Sequence, residues 1–169
     1  SKVAGMYVIF TKEGPVFFAD TTVNLNPTAE EIVDITVMVA KAVRGFRIQP
    51  KIALLSYSNF GSAGGEDAEK MAKAVQILHE EYPQIIVDGE LQANFALNNE
   101  MLKEFFPFSD LSENKPNTFI FPNLAAGNIA YKLIQEMSKA EVMGPILLGM
   151  KKSFHVLQIG CSVREIVNM

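Results

Sequence analysis

Short apolar runs alternate along the chain with longer segments in which apolar residues recur at helical spacing. Residues 5–10 and 15–19 are two apolar runs around a polar turn, a pattern that predicts a β-hairpin. Thr28, with Glu31 three residues later, has the pattern of a capping box, so we expect a helix over 29–43. That segment is apolar on most sides, which is typical of a helix buried between layers.

The alternation continues through the rest of the chain. Apolar runs predict strands at 52–56, 85–87, 117–121 and within GPILLGM, and helical spacing predicts helices at 67–81 and 93–105. An initial hairpin followed by repeated strand, loop and helix units indicates a three-layer α/β/α domain with a mostly parallel sheet.

Ligands of such domains bind at the carboxyl ends of parallel strands. We expect four loops there, at 56–65, 88–92, 122–128 and 158–162. The composition of the first loop, rich in Ser and Gly, fits a ligand-binding role and a plain connection between strand and helix equally well. Asp88 and Glu90 could act in acid–base chemistry or bind a metal, although capping of the next helix is favoured. Gly127 and Asn128 are expected to open the helix that follows.

Composition excludes several classes of function. A net charge of −4 with three arginines argues against a general nucleic-acid binder, which needs a basic face. The single cysteine, Cys161, precludes a disulfide within the chain, so we expect a reducing, cytoplasmic compartment. We expect no metal site in this chain, no signal peptide and no membrane span. The start at Ser1 and the stop inside a helix-like pattern suggest a piece of a larger protein.

Five blocks in order carry a family resemblance: LLSYSNFGSA, DGELQAN, FIFPNLAAGNIAYKL, GPILLGM and GCSVREIVN. Together they resemble the phosphotransacetylases, the phosphate acetyl/butyryl transferases. The resemblance implies a fold of the isocitrate/isopropylmalate dehydrogenase-like, phosphotransacetylase type, with an active site between two domains. Residues 1–150 would be most of the second domain, and 151–169 would begin the return to the first. It also implies transfer of an acetyl group between coenzyme A and phosphate.

The resemblance also implies site residues. Ligand contacts are expected from Ser56, Ser58, Gly61, Ser62, Asn123, Gly127, Asn128, Lys132, Gln158, Gly160 and Ser162. Glu165 stands where the family has its aspartate base. In the family's Ser-Arg-Gly-Cys-Ser stretch, Gln158 replaces the serine and Ile159 replaces the arginine, and Gly-Cys-Ser is kept. Glu136 stands where the family has a second arginine. Loss of one stabilising donor costs about 3 kcal/mol of barrier, so we expect impaired acetyl transfer.

The variant stretches KSFHVLQ and GCSVREIVNM look like the C-terminal domain of bacterial hybrid malic enzymes. That resemblance implies a regulatory module that binds acetyl-CoA or CoA, dimeric or of higher order, after an N-terminal malic enzyme domain. NADP and a divalent metal (Mg²⁺ or Mn²⁺) would belong to that attached domain. An active phosphate acetyltransferase, with acyl phosphate as substrate, and a ligand-free dimerisation module are the alternatives.

Overall fold

The computed structural model describes residues 2–151 together with Val163 and Val167. In chain order, the described elements are β1 (Ala4–Thr11), β2 (Gly14–Ala19), α1 (Ala29–Gly45), β3 (Lys51–Leu55), α2 (Glu66–Glu81), β4 (Ile86–Leu91), α3 (Ala93–Leu97), α4 (Asn99–Phe105), a 3-10 turn (Asp110–Ser112), β5 (Thr118–Ile120), α5 (Leu124–Ser138) and β6 (Glu141–Leu148). The predicted α/β class and the N-terminal hairpin are confirmed.

The described strands form one sheet in the order β4-β3-β5-β2-β1-β6. Strands β4, β3, β5 and β2 pair in parallel, whereas β1 is antiparallel to both of its neighbours, β2 and β6. Because β6 runs against β1, it points the same way as the four parallel strands. The carboxyl ends of five strands therefore share one edge of the sheet, which we call the carboxyl edge.

Two apolar clusters lie on opposite faces of this sheet. Helices α1 and α2 cover the first face, over a cluster that includes Ile32, Leu54 and Leu78. Helices α3, α4 and α5 cover the second face, over a cluster that includes Phe119 and Tyr131. The alternation of strand side chains between faces follows from the two-residue repeat of a β-strand.

The predicted capping box of α1 is confirmed. The Thr28 side chain accepts a hydrogen bond from the Glu31 N–H at 3.2 Å, and the Glu31 carboxylate accepts one from the Thr28 N–H at 2.8 Å. The two partners are three residues apart in sequence, so the capping box depends only on residues within one helical turn.

Two predicted boundaries are wrong. The strand predicted to end at Val87 continues to Leu91, so most of the predicted 88–92 loop is strand. The helix predicted over 93–105 is two helices, because Asn98 ends α3 in an extended conformation. The Asn98 side chain then accepts a hydrogen bond from the Met101 N–H at 3.1 Å and caps α4.

Candidate functional site

The loop that follows β3, residues 56–65, is held together by its own serines. The Ser58 hydroxyl oxygen accepts a hydrogen bond from the Ala63 N–H at 3.0 Å, and Ser58 is fully buried. The Ser62 hydroxyl accepts from the Asn59 N–H at 2.9 Å. These hydroxyls therefore shape the loop from inside, and their contact with a ligand stays a prediction.

A buried carboxylate ties the same loop to β4. Glu90 is 2% exposed, and its Oε1 accepts a hydrogen bond from the Gly61 N–H at 3.0 Å. The Glu90 carbonyl accepts a second one from the Phe60 N–H at 2.8 Å. Phe60 and Gly61 both have positive φ, at 47° and 84°, which aims their N–H groups at β4. The Gly61 N–H that the sequence suggested for a ligand is thus donated to Glu90.

The favoured capping role of Asp88 and Glu90 is wrong. Helix α3 follows Gln92 and has no side-chain cap. The Asp88 carboxyl accepts hydrogen bonds from the Ser109 hydroxyl at 2.7 Å and from the Gly89 N–H at 2.9 Å. Both carboxylates instead connect β4 to neighbouring segments at the carboxyl edge, through partners far away in the sequence.

Asp20, at the end of β2, organises a second loop at this edge, and sequence reasoning missed it. Asp20 is 3% exposed, and its Oδ1 accepts hydrogen bonds from the N–H groups of Gly5, Thr22 and Val23 at 2.9–3.1 Å. Its Oδ2 accepts another from the Asn24 N–H at 2.8 Å. An aspartate followed by polar residues after an apolar strand is a weak signal that could have indicated such a turn.

The N-terminus of α5 begins earlier than predicted. Asn123, rather than the Gly127–Asn128 pair, caps the helix, because its Oδ1 accepts from the Ala126 N–H at 3.0 Å. Its amide nitrogen donates to the Asp67 carboxylate on α2 at 3.1 Å. Asn123 therefore joins α5 to α2 across the carboxyl edge.

Gly127 and Asn128 hold α5 against the loop that follows β2. A Cβ on Gly127 would lie 2.5 Å from the Asp20 carbonyl oxygen, so only glycine permits this close approach. The Asn128 side-chain amide donates to the Thr21 carbonyl at 3.2 Å. Both predicted site residues therefore have a packing role here, and ligand contact by them stays a prediction.

Some of these loops and helix ends line an open cavity of about 470 Å³ at the carboxyl edge. Its lining includes Leu25, Asn26, Tyr57, Glu66, Asp67 and Asn123. Leu25 and Tyr57 are 76% and 54% exposed, and together they offer apolar surface beside the polar groups. Of the predicted ligand contacts within residues 2–151, only Asn123 lines this cavity.

The charges at the cavity favour neutral hydrogen-bonding groups over phosphate. Lys70, whose side chain is 11% exposed, forms an ion pair with Asp67 at 3.0 Å and donates a hydrogen bond to the side-chain oxygen Oδ1 of Asn26 at 2.8 Å. Glu66 adds a second carboxylate. Two carboxylates against one ammonium disfavour a bound anion and suit amide or amino donors.

Two predicted functional residues of α5 lie away from the cavity. Lys132 is exposed, with its ammonium 5.9 Å from the Tyr131 ring centroid. Glu136 is exposed and pairs with Lys139 at 3.3 Å. Because a helix rises 1.5 Å per residue, Glu136 lies about 18 Å along α5 from Leu124 at the carboxyl edge. Glu136 therefore lies away from this cavity, and its place in the family's site stays a prediction.

The remaining predicted positions lie outside the described residues. These are Gln158, Ile159, Gly160, Ser162 and Glu165, together with Cys161. Within residues 2–151, the structure has no group of three or more His, Cys, Asp or Glu side chains arranged to bind a metal ion. In the same part of the chain, every helix is too short or too polar to cross a bilayer.

Comparison with known proteins identifies the family. The sequence profile described as phosphate acetyl/butaryl transferase matches residues 1–169. The chain belongs to this family. A solved phosphotransacetylase from Streptococcus pyogenes superposes with a TM-score of 0.92 at 35% identity, over 99% of this chain and 51% of that one. The predicted family resemblance and fold class are confirmed.

Members of two named groups of proteins are similar to the chain. The NADP-dependent malic enzyme of Haemophilus influenzae is 46% identical over 92% of this chain, and the match covers 20% of that enzyme. The phosphate acetyltransferase of Clostridium acetobutylicum is 40% identical over 99% of this chain, and the match covers 52% of that enzyme. The chain thus spans a fifth to about half of the length of these curated relatives.

Proposed function

We propose that this chain is the phosphotransacetylase-like domain of a malic enzyme and that it binds acetyl-CoA as a regulatory module with impaired acetyl transfer. The observation that carries the proposal is the match to malic enzymes, which reaches 46% identity over 92% of the chain but covers only 20% of the relative. The match to the malic enzyme of Escherichia coli has the same form, at 41% identity and 22% coverage. An attached domain would then convert malate to pyruvate with NADP and Mg²⁺ or Mn²⁺.

The positions of the described cations support impaired acetyl transfer. Arg44 lies in the last turn of α1, and Arg47 follows that helix just before β3. Both therefore lie at the edge of the sheet where the parallel strands begin, opposite the cavity. Lys70, which contacts the cavity-lining residues Asn26 and Asp67, is already paired with Asp67. Phosphate transfer needs cationic donors aimed at the transferred group, and each missing donor costs about 3 kcal/mol of barrier.

The cavity supports binding of a large ligand with neutral polar groups. The carboxylates of Asp67 and Glu66 and the side-chain oxygen of Asn26 could accept hydrogen bonds from the adenine amino group and the amides of CoA. Tyr57 would provide a flat apolar wall. The phosphates of CoA would have to lie elsewhere, in contact with residues beyond this cavity. Regulation would then require acetyl-CoA to bind one arrangement of the whole protein more tightly than another.

Titration of the full-length protein with acetyl-CoA tests this proposal. We expect saturable binding by calorimetry and a lower rate of malate decarboxylation at saturation. The Tyr57→Ala variant should weaken binding because it removes the cavity wall, whereas Phe105→Ala, at a residue with similar exposure on α4, should not. Tight binding without any change in the decarboxylation rate, or no binding at all, would contradict the proposal.

An active phosphate acetyltransferase is the second candidate. It is supported by the 40% identity to the Clostridium acetobutylicum enzyme and by the superposition on the Streptococcus pyogenes phosphotransacetylase. The full-length protein would then form acetyl-CoA from acetyl phosphate and CoA. A rate equal to the uncatalysed background removes this candidate. If the protein binds no CoA ester in the titration, the ligand-free dimerisation module is the remaining candidate.

A further inference from the structure

Six consecutive backbone N–H groups in the loop after β3 are all used inside the protein. They belong to residues 58–63, and each donates one hydrogen bond at 2.8–3.2 Å. Their acceptors are the hydroxyl oxygens of Ser56, Ser58 and Ser62, the Asn59 carbonyl oxygen, and the carbonyl and carboxylate oxygens of Glu90. Consecutive N–H groups in such a loop are suited to binding an anion, but residues 58–63 have no backbone N–H left for a ligand.

One of these acceptors carries a charge. The Glu90 carboxylate accepts from the Gly61 N–H at 3.0 Å, and the Glu90 carbonyl accepts from the Phe60 N–H at 2.8 Å. Because Phe60 and Gly61 have positive φ, their consecutive N–H groups converge on one residue, as they do around a bound anion. The other acceptors are neutral hydroxyl and carbonyl oxygens. The loop therefore already holds an anion, which its own chain supplies.

The Glu90 carboxylate is enclosed by protein. Glu90 is 2% exposed, and the ion pairs found among residues 2–151 all involve other carboxylates. A buried carboxylate without a cation relies on hydrogen-bond donors such as the Gly61 N–H. A ligand phosphate at Gly61 would have to displace this carboxylate or lie beside it, where two like charges repel each other.

We infer that Glu90 is a specificity-determining residue, whose carboxylate occupies the anion position of the loop and excludes phosphate from it. The inference rests on the proposed function, to which it adds a cause of impaired acetyl transfer, because phosphate cannot use the donors of the loop. Acetyl-CoA binding is still permitted, since Tyr57 precedes the six N–H groups and offers apolar surface to the cavity at the carboxyl edge.

Truncation of Glu90 tests the inference in the full-length protein. Glu90→Ala removes a CH₂–COO⁻ group, which has the size of acetate, and frees the Gly61 N–H. At constant ionic strength, we expect calorimetry to show that this variant binds acetate and inorganic phosphate about tenfold more tightly than the wild type does, since a hydrogen bond to a charged group contributes about that factor or more. Phosphate should also slow amide hydrogen exchange in the peptide that contains residues 56–65, in the variant and not in the wild type.

Two matched variants separate occupation of the loop from a general effect of negative charge. Glu90→Gln keeps the size of the side chain and an acceptor oxygen for the Gly61 N–H, so its affinity for phosphate should stay within about twofold of the wild type. Asp88→Ala removes another buried carboxylate of β4, whose partner is the Ser109 hydroxyl, and should not open the loop to phosphate. If either variant gains as much phosphate binding at the loop as Glu90→Ala does, occupation by Glu90 is not the cause and the inference is wrong.

The wild-type protein provides a second test, which does not depend on the folding of a variant. The amides of Phe60 and Gly61 should exchange slowly without any ligand, and millimolar phosphate should leave their rates unchanged. Fast exchange of both amides in the free protein, their protection by phosphate, or a folded Glu90→Ala protein that binds neither anion more tightly would each overturn the inference. The proposed function fails on a different result, when acetyl-CoA does not bind or does not slow malate decarboxylation, whatever phosphate does.

Discussion

The two faces of the sheet are covered differently. On the first face, α1 and α2 are 17 and 16 residues long, pack against each other and seal a cluster of buried side chains. On the second face, α3 and α4 span only five and seven residues, and a cavity lined by residues of α3 and α5 lies beside α5. Ile129, Leu133 and Met137 on α5 are largely exposed. The difference separates side chains whose burial stabilises the fold from apolar side chains that contribute little to it.

Leucine truncation should show the largest contrast between the faces. Leu78 is fully buried in α2, and Leu78→Ala should lower the free energy of unfolding by about 3–5 kcal/mol because it leaves a cavity. Leu133→Ala, at a position of α5 that is 54% exposed, should change it by less than about 0.5 kcal/mol. Urea denaturation of both variants at low protein concentration measures this contrast. A similar loss for both would mean that α5 is not an open face.

Glycine substitution should show the next largest difference. Gly127→Ala on α5 places a Cβ 2.5 Å from the Asp20 carbonyl oxygen and should destabilise the fold by about 3 kcal/mol, the upper end for overpacking. Gly45→Ala at the end of α1 meets no atom within 4 Å and should be neutral or stabilising by up to about 1 kcal/mol. Thermal unfolding compares the two variants. Tolerance of Gly127→Ala would show that α5 can move away from the loop after β2.

Removal of a buried hydroxyl group should give a smaller difference in stability between the two faces. Ser109→Ala removes the 2.7 Å hydrogen bond that the Ser109 hydroxyl donates to Oδ2 of the buried Asp88 and should cost about 1.5–2 kcal/mol. Thr36→Val on α1 should cost less than about 1 kcal/mol, because the Thr36 hydroxyl only adds a bond to the Ile32 carbonyl within the helix. Chemical denaturation of both variants provides the measurement, and equal losses would contradict the structural role of Asp88.

The smallest effect should come from the ion pair between Glu30 and Lys73, which joins α1 to α2. The hydrogen bond from the Lys73 ammonium lowers the pKa of Glu30 below its ordinary value of 4.5. A carboxylate with a lowered folded-state pKa stabilises the fold above its unfolded pKa, and that contribution is lost as pH falls below about 4.5. Glu30→Gln should therefore flatten the acid side of the stability profile slightly. An unchanged profile would mean that the exposed pair is fully screened.

Predictions from the sequence succeeded where the deciding contacts are local. The β-hairpin and the capping box of α1 depend on residues close together in sequence, and both are confirmed. The order of five sequence blocks was enough to identify the family, because such an order is specific even when each loop is a weak signal. The site was predicted less well: among the described positions, only Asn123 lines the cavity at the carboxyl edge.

The sequence by itself determined the α/β class, the family and the approximate positions of the strands and helices, since these follow from periodicity and local turn chemistry. Only the tertiary structure decided what the carboxylates do. From the sequence, capping of α3 by Asp88 and Glu90 was favoured, but their hydrogen-bond partners include Ser109 and Gly61, which lie 21 and 29 residues away. The structure likewise shows that Glu136 is exposed on α5 and paired with Lys139, away from the cavity at the carboxyl edge. Hydrogen-bond partners that are distant in sequence come together only when the sheet packs. The partners of a buried carboxylate therefore cannot be predicted from the residues next to it in the sequence.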